Sequence, residues 1–386
     1  MISSNSKKKE LLKPRIAVVA GEKSGDELGK KLIHSLKGRY PKAKFFGVGG
    51  QKMISEGLES CFDMDRISVM GITEPLLKIF DLLSLRRQLK KFLLENKPDI
   101  YIGIDSPDFN LPIAKFLKLK NKTKAIQYVG PSIWAWRQGR LKNIEKYLDK
   151  VLVLFPFEIE SYKDSKLEVS FVGHPLAYKY PEEVNKLTMK KKFSIDSKLK
   201  VVALLPGSRK SEVAKILPVL LETATEIRDN DKKTLFFMPF ANYNQKAMLK
   251  NPEKYNWINF SVGNSQEVLS FSDIGIVTSG TAVLEAALLK TPSVVVYKTN
   301  WLTYKLVRPL LKISFYSLPN LLAGKEILPE LIQDQVTSSN VLKAFYQLDQ
   351  KNYNETLKAF KEIHSKLKSK GPDLAAESVV ETLSCL

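Results

Sequence analysis

Short apolar, β-branched runs alternate with stretches of helical periodicity in the first part of the chain. Ile16–Ala20 predicts a strand, and a Gly-rich turn and a helix over Glu27–Leu36 follow. Lys44–Val48, Ile100–Asp105, Lys124–Val129 and Lys150–Leu154 predict further strands, with helix-like segments between most of them. That rhythm is βαβ and implies a parallel sheet with helices on both faces. The pattern then restarts. Lys200–Leu205, Leu235–Met238, Ile274–Thr278 and Ser293–Tyr297 read as strands, and Ser211–Arg228 and Ala282–Leu289 as helices. The Lys- and Glu-rich stretch Pro181–Lys200 between the halves is the best linker candidate, part of it helical. The expected fold is α/β, two doubly wound Rossmann-like domains facing a cleft. In such sheets ligands bind beyond the carboxyl ends of the strands. The expected domains are 1–180 and 181–345, with a helical tail over 346–386 that is able to pack back on the first domain.

A length of 386 residues agrees with two cores rather than one. Lys and Arg number 61 against 41 Asp and Glu, a formal charge of +20. Such a surplus fits an anionic partner (nucleic acid, an acidic lipid surface or a phosphorylated substrate) or simply a Lys-rich solvated surface. Cys61 and Cys385 have no metal or redox spacing, and His34, His174 and His364 do not cluster, so neither a disulfide framework nor a zinc site is expected. The start Met1–Lys9 is polar and basic with no apolar region behind it, and no run of about 18 apolar residues occurs. A soluble or peripheral protein is expected.

Two loops in the second half suit a diphosphate. Ile274–Thr278 runs into Ser279-Gly280-Thr281, and a helix begins at once. Gly280 lets a phosphate approach the backbone, where free N–H groups and the helix dipole favour an anion. Glu285, about one turn into that helix, can accept hydrogen bonds from ribose hydroxyls. An ordinary helix capped by Ser279 or Thr281 fits the same residues. Leu204–Glu212 again sets a turn, Gly207-Ser208-Arg209, after a strand, and an Arg there can clamp a departing diphosphate.

In the first half, Gly21-Glu22-Lys23-Ser24-Gly25-Asp26 resembles a phosphate loop but matches neither dinucleotide nor P-loop fingerprint. Gly47–Gly50 makes a second tight turn on the same edge. Asp105 ends a buried strand, with Ser106 and Pro107 as N-cap and N1 of the next helix. A general base would sit there, although Asp105 or Asp108 can equally serve the local backbone. Tyr128–Arg137 holds Trp134, Trp136 and Arg137 after a strand end. Aromatic faces suit a sugar or acyl chain and Arg a phosphate, while core packing is the plain alternative. Ser68–Leu94 interleaves apolar residues, Met70 to Leu85 among them, with Lys78, Arg86, Arg87, Lys90 and Lys91. It reads either as a helix lying in a bilayer interface or as a buried amphipathic helix. Asp63-Met64-Asp65 is the only metal-like triplet singled out, and no metal is assigned to it.

Taken together these segments resemble the lipid-A-disaccharide synthases, glycosyltransferases of the GT-B type. The resemblance runs in order over nearly the whole chain, through Ala20–Asp26, Ser68–Gly71, Gly103–Asn110, Tyr128–Arg137, Phe171–Pro175, Leu205–Arg209, Ser279–Leu288 and Ser317–Ala323. It implies an inverting transfer of 2,3-diacylglucosamine from UDP to 2,3-diacylglucosamine 1-phosphate (lipid X), with no cofactor and no metal. By the same resemblance Gly207, Ser208, Arg209, Ser279, Gly280, Thr281, Glu285 and Asn320 would bind UDP. Asp105 would be the base, aided by Arg209. Gly21, Glu22, Ser24, Gly25 and Asp26, with Met70, Trp134, Trp136 and Arg137, would meet the acceptor or lipid. The expected setting is cytoplasmic, peripheral to the inner face of an anionic membrane, with a homodimer left open. Gly130, Lys23 and Tyr178 depart from the family pattern, which often has Ser, Ala and Asp there. A nucleic-acid partner is not expected, because no recognised motif accompanies the charge.

Overall fold

The computed structural model describes residues 13–68, 75–135, 139, 141–311, 313–371 and 373–385. The chain forms two compact units. The first runs to Pro175 and takes the chain back from Lys368, and the second spans Leu176–Leu367.

The first unit is built on seven strands: β1 Arg15–Ala20, β2 Lys44–Val48, β3 Leu58–Ser60, β4 Ile100–Ile104, β5 Lys124–Tyr128, β6 Lys150–Val153 and β7 Glu168–Phe171. They lie in the order β3-β2-β1-β4-β5-β6-β7, every pair parallel. All five residues of β4 are buried, as are Ile16–Ala20 of β1, because helices cover both faces and leave no polar side to the central strands. The chain leaves β1 towards β2 and leaves β4 in the opposite direction, towards β5. The order reverses between β1 and β4, and that reversal opens a crevice at their carboxyl ends.

The second unit repeats the scheme with β8 Val201–Leu205, β9 Leu235–Phe240, β10 Ile258–Val262, β11 Ile274–Thr278, β12 Ser293–Tyr297 and β13 Glu330–Ile332. Their order is β10-β9-β8-β11-β12-β13, again parallel throughout, and the switch falls between β8 and β11.

Four strands that the hydrophobic pattern did not predict, β3, β7, β10 and β13, are the four sheet edges. An edge strand is covered less completely, and residues such as Glu59, Glu168, Asn259 and Glu330 break the apolar run.

The helices used below are α1 Lys23–Arg39, α2 Pro75–Asn96, α3 Pro107–Asn121, α4 Lys210–Asn230, α5 Thr281–Leu288, α6 Leu318–Ala323, α7 Ser338–Gln347, α8 Tyr353–Leu367 and α9 Leu374–Ser384. The segments beyond residue 337 divide between the units. Val341, Ala344 and Phe345 of α7 join the second core. Ala375, Ala376, Val379 and Leu383 of α9 join the first. Ion pairs flank the α9 contact: Arg39 Nη2 to Glu377 at 3.1 Å and Lys150 Nζ to Glu381 at 2.9 Å. The stretch expected as a linker holds a short helix, Lys186–Lys192. It lies inside the second unit, where Lys190 Nζ donates to Asp273 at 2.7 Å.

Candidate active site

In the first unit the β1 and β4 loops meet at the switch point. A side chain on Gly21 would lie 2.6 Å from Ser106 Oγ, so only glycine lets the two loops approach this closely. Asp105 and Ser106 follow β4 with φ of 54° and 40°, left-handed values that cost non-glycine residues about 1–3 kcal/mol each. Buried amides hold this turn. Asn110 Nδ2 donates to Asp105 O at 2.9 Å and Gln127 Nε2 donates to the same oxygen at 3.0 Å. The Asp105 N–H donates to Tyr128 O at 2.9 Å. Asn110 Oδ1 in turn accepts from Tyr101 Oη at 2.9 Å. Gly103 makes room for this pair, since a Cβ there would stand 2.8 Å from Asn110 Cβ and 2.9 Å from Gln127 Oε1. The half-buried Asp105 carboxylate accepts from the Ser106 N–H at 2.8 Å and faces Ser24 Oγ at 3.4 Å. The local-backbone role and the outward-facing role are therefore divided between its two oxygens.

The rest of the Gly21–Asp26 loop is not uniform. Glu22 and Ser24 are exposed, and Gly25 is buried against β1 and β4. Asp26 is buried, and its carboxylate accepts from the backbone N–H groups of Gly50, Lys52 and Met53 at 2.9–3.2 Å. It ties the Gly47–Gly50 turn to α1 and faces the backbone rather than the crevice. Asp108 is exposed, and its carbonyl accepts from Arg86 Nη2 at 2.6 Å. Trp134 is half-buried and meets Phe157 edge-on at 5.0 Å. Phe157 stacks on Phe155, and Phe155 on His174 at 5.1 Å. Met70, Trp136 and Arg137 lie outside the described residues.

Burial shifts two polar groups at this aromatic row, His174 within it and Glu158 bonded to the Phe155 backbone. Burial holds the His174 imidazole down at about 4. Burial raises the Glu158 carboxyl to about 7, against the partial relief of the Phe155 N–H, which donates to it at 3.0 Å. The sequence offered no signal for Glu158, because a Glu in a short helix beside a strand end reads as solvated.

In the second unit the loops after β8 and β11 meet at the corresponding switch. Gly207 takes φ 109°, with Glu212 of α4 folded against it. The Glu212 carboxylate accepts from the N–H groups of Ser208 at 3.4 Å and Arg209 at 3.2 Å, and from Arg209 Nη1 at 2.7 Å. Glu212 is buried while the Arg209 side chain is 67% exposed, so the guanidinium is oriented at its base and presented outward. Gln245 Nε2 also donates to Ser208 O. After β11, Ser279 Oγ donates to Tyr316 O at 3.3 Å, and Gly280 is the N-cap of α5 at φ 153°. The N-cap of α5 is Gly280 rather than Ser279 or Thr281, and among the described residues no side chain is seen to cap it. Beyond its two chain neighbours, no atom of the described residues comes within 4 Å of the place where a Gly280 Cβ would be, and Gly280 and Thr281 are exposed. The uncapped N–H groups therefore open onto space that an anion can enter. Glu285, further along α5, is half-buried. Its Oε1 accepts from Gln266 Nε2 at 2.8 Å and Tyr180 Oη at 3.2 Å, and burial raises its pKa.

Asn320 behaves differently from the other expected nucleotide contacts. It is fully buried in α6. Its Nδ2 donates to Leu328 O and Glu330 Oε1, both at 2.8 Å, and its Oδ1 accepts from the N–H groups of Ile327 and Leu328 at 2.9 and 3.0 Å. Glu330 also accepts from the N–H groups of Tyr316 and Ser317. Both lone pairs and both protons of the amide are spent on the protein, so Asn320 shapes the loop beside Ser279.

Among the described residues no cluster of His, Cys, Asp or Glu is arranged to hold a metal ion. In Asp63-Met64-Asp65, Asp63 Oδ1 accepts from the Asp65 N–H at 2.9 Å and starts a helical turn. No helix among the described residues is long and apolar enough to cross a membrane.

The family profile described as lipid-A-disaccharide synthetase matches residues 16–379. The lipid-A-disaccharide synthase of Alcanivorax borkumensis is 41% identical over 96% of this chain and 98% of its own length. That of Azotobacter vinelandii is 42% identical over 95% and 97%. Among solved structures, the kitacinnamycin glycotransferase superposes with a TM-score of 0.63 at 15% identity, over 96% of this chain and 99% of that one. The UDP-GlcNAc 2-epimerase of Neisseria meningitidis gives 0.60 at 13% identity over 96% and 100%, a likeness of fold alone. Identity of this level over nearly the full length of the relatives shows that the chain belongs to the lipid-A-disaccharide synthase family, glycosyltransferases of GT-B fold.

Proposed function

We propose that the chain transfers 2,3-diacylglucosamine from UDP to 2,3-diacylglucosamine 1-phosphate, with inversion, to give a β-1,6-linked disaccharide 1-phosphate and UDP. The observation that carries the mechanism is Asp105, a carboxylate fixed in a strained turn at the switch point with one oxygen turned towards Ser24. The acceptor 6-hydroxyl gives its proton to Asp105 as its oxygen bonds to C1 of the donor sugar. The bond from C1 to the diphosphate breaks, and its electron pair leaves with UDP. Arg209 and the open N–H groups of the Gly280–Thr281 turn meet the growing negative charge. Ser208 and Gly207 keep that loop close to the phosphates, and Glu285 takes the ribose hydroxyls. Glu22 and Ser24 line the acceptor side, with Trp134 beyond them.

The acceptor and donor are lipids, and α2 is suited to meet their bilayer. Leu85, Leu89 and Leu93 form its buried face, while Phe80 and Leu83 are exposed at 72% and 47% on the side that also carries exposed Arg87 and Lys91. We place the protein peripherally on the cytoplasmic face of an anionic membrane on this ground.

The deciding assay mixes the protein in mild detergent with both substrates and EDTA and reads products by mass spectrometry. A tetra-acyl disaccharide 1-phosphate with UDP supports the proposal. A folded protein that yields neither, with or without Mg²⁺, would point to another sugar or acceptor.

A further inference from the structure

An apolar groove runs along α3 in the first unit, and nothing in the transfer chemistry above uses it. It encloses about 460 Å³ between α3 and the segment around Ile144, and Pro107, Leu111, Lys115, Ile144 and Tyr147 are among its walls. Pro107, Leu111 and Lys115 are spaced four apart, so they share one face of the helix. At 1.5 Å per residue this face extends about 12 Å. We infer that this groove takes one acyl chain of the acylated acceptor, an inference that rests on the acceptor being an acylated glucosamine.

Three observations fix the occupant. The first is place: Pro107 is the first residue of α3 and follows Asp105 and Ser106 directly, so the groove begins where the acceptor hydroxyl must be held. The second is size. An apolar cavity of about 150 Å³ holds one benzene, roughly 25 Å³ per heavy atom, so this groove holds roughly 18 non-hydrogen atoms. That is on the order of one acyl chain. The third is continuity with α2. Arg86 of α2 donates to Asp108 O at 2.6 Å and lies over the Phe109 ring at 5.4 Å, which fastens α2 alongside the mouth of the groove. Lys115 and Tyr147 line the groove together: the Lys115 ammonium stands over the Tyr147 ring at 4.9 Å, leaving its methylenes to the groove.

Photolabelling of the full chain with an acceptor that carries a diazirine at the end of one acyl chain tests the assignment. Label on peptides containing Leu111 or Tyr147 is expected. Label confined to other segments, or none at these two, overturns it. This readout does not depend on turnover, so it separates the groove from the proposed reaction. A kinetic test uses Asn143→Trp, a change at an exposed position on the groove wall. In the unaltered chain, kcat/KM should rise by up to about fourfold for each acyl methylene added to a short-chain acceptor until the groove is full. In the variant that slope should flatten. An unchanged slope would remove the groove from the account.

Discussion

The side-chain amide of Asn110 donates to the backbone carbonyl of Asp105 at 2.9 Å and, with Gln127, keeps a carboxylate-bearing residue in a left-handed turn. Asn110 is fully buried, so it reaches Asp105, the proposed base, only through that residue's backbone. Asp105→Ala should lower kcat by about 10²–10⁴-fold and leave UDP affinity in place. Asn110→Ala should also lower kcat, by less, with the acceptor KM changed little. It should cost roughly 1–3 kcal/mol of stability, because Tyr101 Oη and the Asp105 carbonyl lose a partner. Full activity in Asp105→Ala would remove it as the base.

Asn320 and Arg209 are expected to separate in the same assay. Arg209→Ala should weaken UDP binding and turnover together. Asn320→Ala should instead act on stability, by several kcal/mol, because two backbone N–H groups and a carbonyl lose their buried partner. Titration calorimetry with UDP below the melting point reads the difference. A large loss of UDP affinity in a fully folded Asn320→Ala would show that the amide reaches the nucleotide after all.

Much of this was legible in the sequence, and what was missed has a common cause. Ile274–Thr278 and Ser293–Tyr297 were placed to the residue because both are interior strands with apolar neighbours on each face. The edges β3, β7, β10 and β13 escaped because only part of their surface is covered. Asp105 could be singled out from an apolar strand that ends in Asp-Ser-Pro. The split among polar loop residues could not. Asp26 and Asn320 look in sequence like Ser24 and Arg209, and only the fold turns the first two towards backbone N–H groups. Asn110 and Gln127 passed unnoticed for the same reason.

Glu158 and His174 make opposite contributions to the pH dependence of stability. His174 has a folded pKa of about 4, below the ordinary value of 6.5. Its contribution is complete above pH 6.5 and is lost as pH falls towards 4, where the unfolded chain binds the proton first. Glu158 has a folded pKa of about 7, above the ordinary 4.5. Its contribution is complete below pH 4.5 and is lost as pH rises through 7. Each difference corresponds to about 3 kcal/mol. Denaturant melts at pH 4.5, 5.5 and 7.5 should show Glu158→Gln gaining on the unaltered chain as pH rises. His174→Phe should gain as pH falls. Parallel curves for either variant would mean that the group titrates normally.

The proposed membrane attachment through α2 should depend on both parts of its exposed face. Phe80→Ser with Leu83→Ser should release the protein from vesicles at any salt. Arg87→Gln with Lys91→Gln should weaken binding to anionic vesicles by about 1 kcal/mol per charge, an effect that high salt removes. Flotation with anionic and neutral vesicles distinguishes them. Unaltered flotation of the Phe80 and Leu83 variant would move the contact elsewhere.

The return of the chain to the first unit sets an order of events during synthesis. Val379 and Leu383 of α9 belong to the first core, yet the second unit, Leu176–Leu367, is made in between. At about 5–20 residues per second the ribosome needs tens of seconds to make that insert. Through that interval the apolar surface of the first sheet that awaits α9 stays open to water and to neighbouring nascent chains. A chain released before α9 is made therefore has a complete second unit and an open first one. Quality control would see the defect in the amino-terminal unit, although the missing codons lie beyond the second.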